Sequence, residues 1–165
     1  MYGAPPPRGS QKLSKLRASA SSKSSHEAKR KHAFQVAWIV YHLSAALAAR
    51  QSRRSRASST FARDGFRKMM LDIHNFVVKA CEACAVHHED YMRTHPVGQD
   101  FEKWVYELHN AVNRRVGHPE EEDFATVQKH YQNQLDAIGG DRVTMATLSR
   151  ALIAINGRFC YECAA

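Results

Sequence analysis

Residues 32–49 read HAFQVAWIVYHLSAALAA, and this stretch decides the fold. Phe34, Val36, Trp38, Ile39, Val40, Leu43 and Leu47 point all round a helical wheel, which marks a central helix buried on every side. Such a helix needs partners, and the segments around it have a helical period. Over residues 62–80, Phe66, Met69, Met70, Ile73, Phe76 and Val77 form one apolar stripe. Residues 82–94 predict a short helix stopped at His95-Pro96, because a residue before proline avoids the α region. Residues 100–116 place Phe101, Trp104, Val105, Leu108 and Val112 on one face, and Gly117 and Pro119 end it. Pro119 followed by Glu120, Glu121, Glu122 and Asp123 predicts the next helix start, with proline in the first turn and acids at the positive end. That helix is expected to run to about Ile138 and stop at Gly139-Gly140. Residues 142–155 make a last candidate through Val143, Met145, Leu148, Leu152 and Ile155. No segment alternates like a strand and no internal repeat is visible. The fold class is all-α, a bundle of four or five helices with a C-terminal helical extension.

Length and composition agree with that reading. At 165 residues and 44% apolar content the chain makes one domain with a real core, not a disordered, collagen-like or disulfide-dense scaffold. The longest apolar run, residues 33–49, is interrupted by Gln35, His42 and Ser44 and falls short of the ~18–20 residues of a membrane span, and no secretory signal is expected. The net charge of +8 is uneven: residues 1–60 carry twelve basic residues against the single acid Glu27, and the remainder is slightly acidic. Residues 1–25, rich in Pro, Ser, Lys and Arg, are expected to form a disordered basic tail, residues 26–138 the folded domain and residues 139–165 the extension. The tail has three readings: weak contact with nucleic acid or another anionic surface, a transit peptide, or a solvated tail with no dedicated partner. A second basic cluster, Arg50, Arg53, Arg54 and Arg56, reads as a loop between helices.

All four cysteines lie in two pairs of identical spacing, Cys81-Glu82-Ala83-Cys84 and Cys160-Tyr161-Glu162-Cys163. Zinc modules usually separate such pairs by roughly 15–20 residues, and here 75 intervene. A redox dithiol needs only two thiols that close without moving the backbone, and a helix start at Cys81 would favour its thiolate. Two buried thiol pairs of coincidental spacing is the bland alternative. A thioredoxin-type fold is not expected, because no strands are. The fourth helix adds a second signal. On Trp104-Val-Tyr-Glu-Leu-His109-Asn110-Ala-Val-Asn113, His109 and Asn113 lie ~40° apart with Asn110 ~60° beyond, a polar patch beside the stripe of Leu108 and Val112. Such groups at a core boundary are costly unless paired, which suggests a planar polar ligand. Trp38 and His42 form an i, i+4 pair on the first helix.

Trp38-x-x-x-His42, then Cys81-x-x-Cys84, then His109-Asn110-x-Val112-Asn113 resembles the Erv/ALR flavin-linked sulfhydryl oxidases, over roughly residues 34–131. The stretch Cys84-Ala-Val-His87-His88, with Trp104 downstream, looks most like the compact type encoded by large DNA viruses. The resemblance implies a four-helix bundle plus a short fifth helix, holding FAD non-covalently. It implies catalytic roles for Cys81 and Cys84, with Cys84 nearer the flavin and Cys81 receiving the incoming thiol. It also implies FAD contacts from Trp38, His42, Cys84, His88, His109, Asn110, Val112 and Asn113, with His87 and His88 the weaker candidates. Cys160 and Cys163 would be a shuttle dithiol on a flexible tip after Gly157-Arg158, passing electrons from a thiol-containing protein substrate to the first pair, and finally to O2.

Three departures from the cellular pattern stand out. Gln35 replaces an arginine, His118 replaces the basic residue before the motif's last proline, and Tyr106 stands where a structural disulfide has a cysteine, with no cysteine near Asp123. The last departure is shared with the virus type. The resemblance further implies a homodimer and a host cytoplasm or virion location, with the mitochondrial intermembrane space as the alternative. A different class of function, weighed beside it, is a helical zinc-binding interaction module with a nucleic-acid-contacting tail; no metal ligand is assigned in the preferred reading.

Overall fold

The computed structural model describes the backbone of residues 9–163 and the side chains of residues 27–154 except Asp141. It is all-α, and no strand occurs among the described residues. Helix α1 is Gly9–Ser52, α2 Arg56–Ala80, α3 Glu82–Thr94, α4 Phe101–Val116, α5 Phe124–Ala137 and α6 Met145–Cys163, with one 3-10 turn at Gly140–Arg142. The backbone of residues 9–25, part of the stretch expected as a disordered tail, is helical and continuous with the rest of α1, while the side chains of that tail lie outside the described residues. No described helix is long and apolar enough to cross a membrane.

α1 is the axis of the molecule: α2, α4, α5 and α6 all pack on it, while α3 hangs from α2 and α6 also leans on α2. The reason is the composition of its second half. Ser44, Ala45, Ala46 and Ala48 are completely buried and Leu47 nearly so, and small side chains let neighbouring backbones approach closely. The one polar member, Ser44, donates its hydroxyl to the Val40 carbonyl at 2.6 Å and leaves nothing unpaired in the core. Above this small-residue segment the core turns aromatic, with Tyr41, Phe66, Phe101 and Trp104 in mutual ring contact.

Three further boundaries differ from the sequence expectation. The loop expected around residues 50–59 is only the turn Arg53–Ser55, because Ser55 is a helix cap: the Ser58 N–H donates to its Oγ at 3.0 Å. Arg50 belongs to the last turn of α1, and it donates to Asp136 Oδ1 at 2.6 Å and to Gln132 Oε1 at 2.8 Å. Gln132 in turn donates to the buried Glu102 carboxylate at 2.6 Å, which ties α1, α4 and α5 together. Second, Pro119 does not open a helix. α5 starts at Phe124 because Asp123 accepts from the Ala125 and Thr126 N–H groups, and Glu121 is held away by α4. Third, α6 continues past Ile155 to Cys163, and its first turns are part of the core rather than an appendage. Val143, Leu148 and Leu152 are buried, and Ser149 donates to Asp72 on α2. The expected flexible tip after Gly157 is thus helical in its backbone through Cys163; the side chains of Cys160 and Cys163 lie outside the described residues.

Tyr106 and Phe124 meet with ring centroids 5.4 Å apart. The contact joins α4 to the start of α5, the two places that the resemblance links by a disulfide in cellular members. A ring pair takes over the tie.

The packing of α1 predicts the effect of enlarging it. Ala46→Leu should destabilise the protein by about 1–3 kcal/mol or more through overpacking, and Ser55→Ala by about 1 kcal/mol through loss of the cap. Urea unfolding should show both as a lowered midpoint with an unchanged slope; a midpoint unmoved in Ala46→Leu would contradict the central position of α1.

Candidate active site

Cys81 is where α2 ends and α3 begins. Its backbone is extended, its N–H donates to the Val77 carbonyl at 2.8 Å, and its carbonyl accepts from the Cys84 and Ala85 N–H groups at 3.0 Å each. The side chain joins Cys84 in a disulfide with Cα atoms 5.2 Å apart, a normal span. The Cys84 N–H also points at Cys81 Sγ, 3.3 Å away. The first sulfur therefore sits at the positive end of the α3 dipole, where a thiolate is favoured once the pair is reduced. Both cysteines are partly exposed, and Cys84 packs against the core.

A second cluster is made of rings. Trp38 stacks on His109 at 4.0 Å and 13° between planes, and His42 stacks on Tyr131 at 4.2 Å and 3°. The two stacks join where His42 Nε2 lies 3.1 Å from His109 Nδ1. Glu121 Oε1 is 3.2 Å from the same His109 nitrogen, and the Glu121 N–H donates to the buried Asn110 Oδ1 at 2.7 Å. Burial holds both imidazoles uncharged: the pKa of His42 falls to about 3, helped by His109 and His130, and that of His109 to about 4. Burial raises the Glu121 carboxyl above its usual range and lifts Tyr131 to about 12.

A string of polar groups runs from this cluster towards the dithiol helix. Tyr41, one turn after Trp38 and fully buried, has its hydroxyl 3.4 Å from His88 Nε2. His88 lies four residues after Cys84 on α3, and its Nδ1 is 3.3 Å from the Nδ1 of half-buried His74 on α2. Burial and the nearby His74 bring the His88 pKa down to about 4. His87 faces solvent.

The structure thus brings Trp38, His42 and His109 into direct contact, adds Asn110 through Glu121, and connects His88 through Tyr41. Val112 packs against the core, and Asn113, one turn after His109, accepts the Gly117 and His118 N–H groups on its carbonyl as the helix closes. Gln35 and His118 are exposed. Four members of the cluster were missed by sequence reasoning: Tyr41, His74, Glu121 and Tyr131. Three had a signal. Tyr131 falls between Val127 and Leu135 on the inward stripe of α5, and His74 falls between Met70 and Val77 on that of α2, so each is a titratable group on an apolar stripe. Tyr41 belongs to the all-round apolar stretch of α1. Glu121 had none, because it reads as a helix-start acid. Among the described residues, no three His, Cys, Asp or Glu side chains gather to hold a metal ion.

A family model described as the Erv1 / Alr family matches residues 35–133, more than half of the chain. The match takes in Cys81–Cys84 and every member of the ring cluster, and it ends before α6 and Cys160–Cys163. No curated protein and no solved structure matches the chain.

Three neutral histidines, His42 and His88 buried and His109 partly buried, make stability depend on pH. Their folded pKa values lie below the ordinary 6.5, so between pH 6.5 and about 4 the unfolded chain binds more protons than the native one. Stability is fully present above pH 6.5 and should fall as pH drops through that window, by up to about 1.4 kcal/mol per pH unit for each ring. Urea unfolding at pH 7, 6 and 5 measures the slope, and His88→Gln should flatten it; an unchanged slope in that variant means His88 is not buried neutral.

Proposed function

The chain belongs to the Erv1 / Alr family, whose members are in general FAD-linked sulfhydryl oxidases acting on thiols, and we propose that this one forms disulfides in protein substrates through Cys81 and Cys84. The observation that carries the reading is the Cys81–Cys84 disulfide at a helix start, one turn before the buried His88.

The residue types suit a flat heteroaromatic cofactor. Trp38, His42, His109 and Tyr131 gather four rings in one cluster, where they stack in pairs on one another, the imidazoles are uncharged, and buried Asn110 adds a polar side chain. Trp38, His42, Cys84, His88, His109, Asn110, Val112 and Asn113 are the proposed FAD contacts. When bound, FAD supplies acceptance of two electrons from the dithiol and their delivery to O2 as hydrogen peroxide.

The chain's own part is thiol chemistry. A substrate thiolate attacks Cys81 Sγ, the Cys81–Cys84 bond breaks, and Cys84 leaves as the thiolate. A second substrate thiolate resolves the mixed disulfide, so the substrate is oxidised and the Cys81–Cys84 pair reduced. Cys160 and Cys163 are proposed as a shuttle that meets protein substrates first and then exchanges with Cys81–Cys84. The virus type is supported by Tyr106 in place of a cysteine, and with it a host cytoplasm or virion location ahead of the mitochondrial intermembrane space. A homodimer is supported by Leu71 and Val78, exposed seven residues apart on α2. The basic tail is proposed to touch nucleic acid or another anionic surface weakly.

Purified protein should be yellow with FAD and consume oxygen with dithiothreitol, and Cys84→Ser should keep flavin while losing turnover. A protein that stays colourless with FAD and consumes no oxygen sinks the proposal. Cys160→Ser or Cys163→Ser should spare small dithiols and slow protein substrates, and equal loss on both removes the shuttle.

A further inference from the structure

Helix α6 lies wholly outside the family match, yet its first turns are fixed to the bundle. Met145 Cγ covers Gly65 on α2, 3.3 Å from where a Cβ would stand. One turn later Ser149 Oγ donates to Asp72 Oδ2 on α2 at 2.7 Å, and Lys68 holds the same carboxylate at 3.0 Å. Leu148 and Leu152 are buried in the core, and α6 packs on α1 as well as on α2.

The two contacts give α6 a direction. A step from Met145 to Ser149 is a step from Gly65 to Asp72, so α6 runs parallel to α2, towards the end where α2 gives way to Cys81. Counted from the first contact, Cys160 is fifteen residues on and Cys81 sixteen; counted from the second, eleven and nine. At ~1.5 Å of rise per residue, helices running side by side bring the two positions level to within ~3 Å. The backbone of α6 stays helical through Cys163, so it arrives at that level as a helix. What remains is the sideways gap, about 8–10 Å between the axes of packed helices. The stretch from Leu152 to Cys160 spans ~12 Å as helix and up to ~26 Å extended, so opening its last turns covers the gap. Gly157 stands between the buried Leu152 and Cys160, and a helix opens most readily at glycine. The target, Cys81, is partly exposed.

We propose that the Cys160–Cys163 pair exchanges with Cys81–Cys84 of its own chain, with α6 as the arm that delivers it to the end of α2, so that no second subunit is needed for the relay. This rests on the shuttle proposed above and adds which active site the shuttle serves. In the reduced tip pair one thiolate attacks Cys81 Sγ, the Cys81–Cys84 bond breaks and Cys84 leaves as the thiolate. The other tip thiolate then attacks its neighbour, Cys81 leaves, and the Cys160–Cys163 disulfide forms. Two electrons pass from the tip pair to Cys81–Cys84, and the two protons given up by the tip thiols are balanced by those taken up by Cys81 and Cys84.

The test uses the full chain in two forms, Cys84→Ser with Cys163→Ser and Cys84→Ser with Cys160→Ser, each keeping Cys81 and one tip cysteine. Micromolar protein is treated with oxidised glutathione and run on a non-reducing gel, with the bond located by peptide mass. At least one form should close a bond from Cys81 to the tip within a single chain, about a hundredfold faster than any bond between chains, and at a rate unchanged by dilution. A disulfide-linked dimer as the main product of both forms, or no bond to Cys81 in either, overturns the proposal. Co-expression gives a second measurement. Chains carrying Cys84→Ser and chains carrying Cys160→Ser with Cys163→Ser each lack one half of the relay, and together they should oxidise a reduced protein substrate no faster than the two made separately. Recovery of turnover on co-expression overturns the proposal. A wild type that consumes no oxygen overturns the oxidase reading alone, while the trapped bond still decides where the tip of α6 reaches.

Discussion

The rest of the structure depends on how thin α1 is along one half of its length. Ser44, Ala45, Ala46, Ala48 and Ala49 present almost no side-chain bulk, and Ala37 and Ala33 continue the same small surface one and two turns before Tyr41. Rows of small residues at every fourth position make shallow ridges into which neighbouring helices settle. Four helices do so here, which leaves α1 surrounded rather than flanked. Trp38 and His42 sit at the edge of this tight region. α4 and α5 arrive there already close enough to bring His109 and Tyr131 into van der Waals contact with them. The geometry of the rings is a by-product of the alanines.

That closeness also decides the chemistry of the cluster. A histidine at the surface is a titrating base; His42 and His109, packed face to face with aromatic rings, stay neutral well into the acidic range. Neutral imidazoles have one donor and one acceptor each, so they recognise rather than attract. The nearby carboxylates divide by surroundings. Glu102 is buried but met by Gln128 and Gln132, whereas Glu121 reaches the ring cluster from a strap outside the helices.

Much of this was legible in the amino-acid sequence, and the reason is periodicity. The apolar all-round stretch at residues 32–49 announces a central helix, and the stripe through Phe66, Met69 and Phe76 announces its neighbour. Trp38, His42, Cys81, Cys84, His109 and Asn110 were visible because spacing alone places them on shared faces or at a helix start. What was not legible depended on partners distant in sequence. Glu121 carries no sign that its N–H is claimed by Asn110, eleven residues earlier, and so Pro119 looked like a helix start. Arg50 looked like part of a solvated loop because its partners Gln132 and Asp136 lie more than eighty residues away. Likewise nothing local tells Tyr106 that it will meet Phe124.

The Cys81–Cys84 disulfide closes a loop of sequence separation three. Chain-entropy stabilisation by a disulfide grows with the length of loop it closes, so this bond contributes near the bottom of the range. The backbone of Cys81 is moreover held from both sides, by the last carbonyls of α2 and the first N–H groups of α3. Opening the bond releases little of the chain and moves little of it. Folding stability is thereby insulated from the oxidation state of this pair: the bundle is held by its packing, and the Cys81–Cys84 link is free to break and re-form without the architecture registering the change.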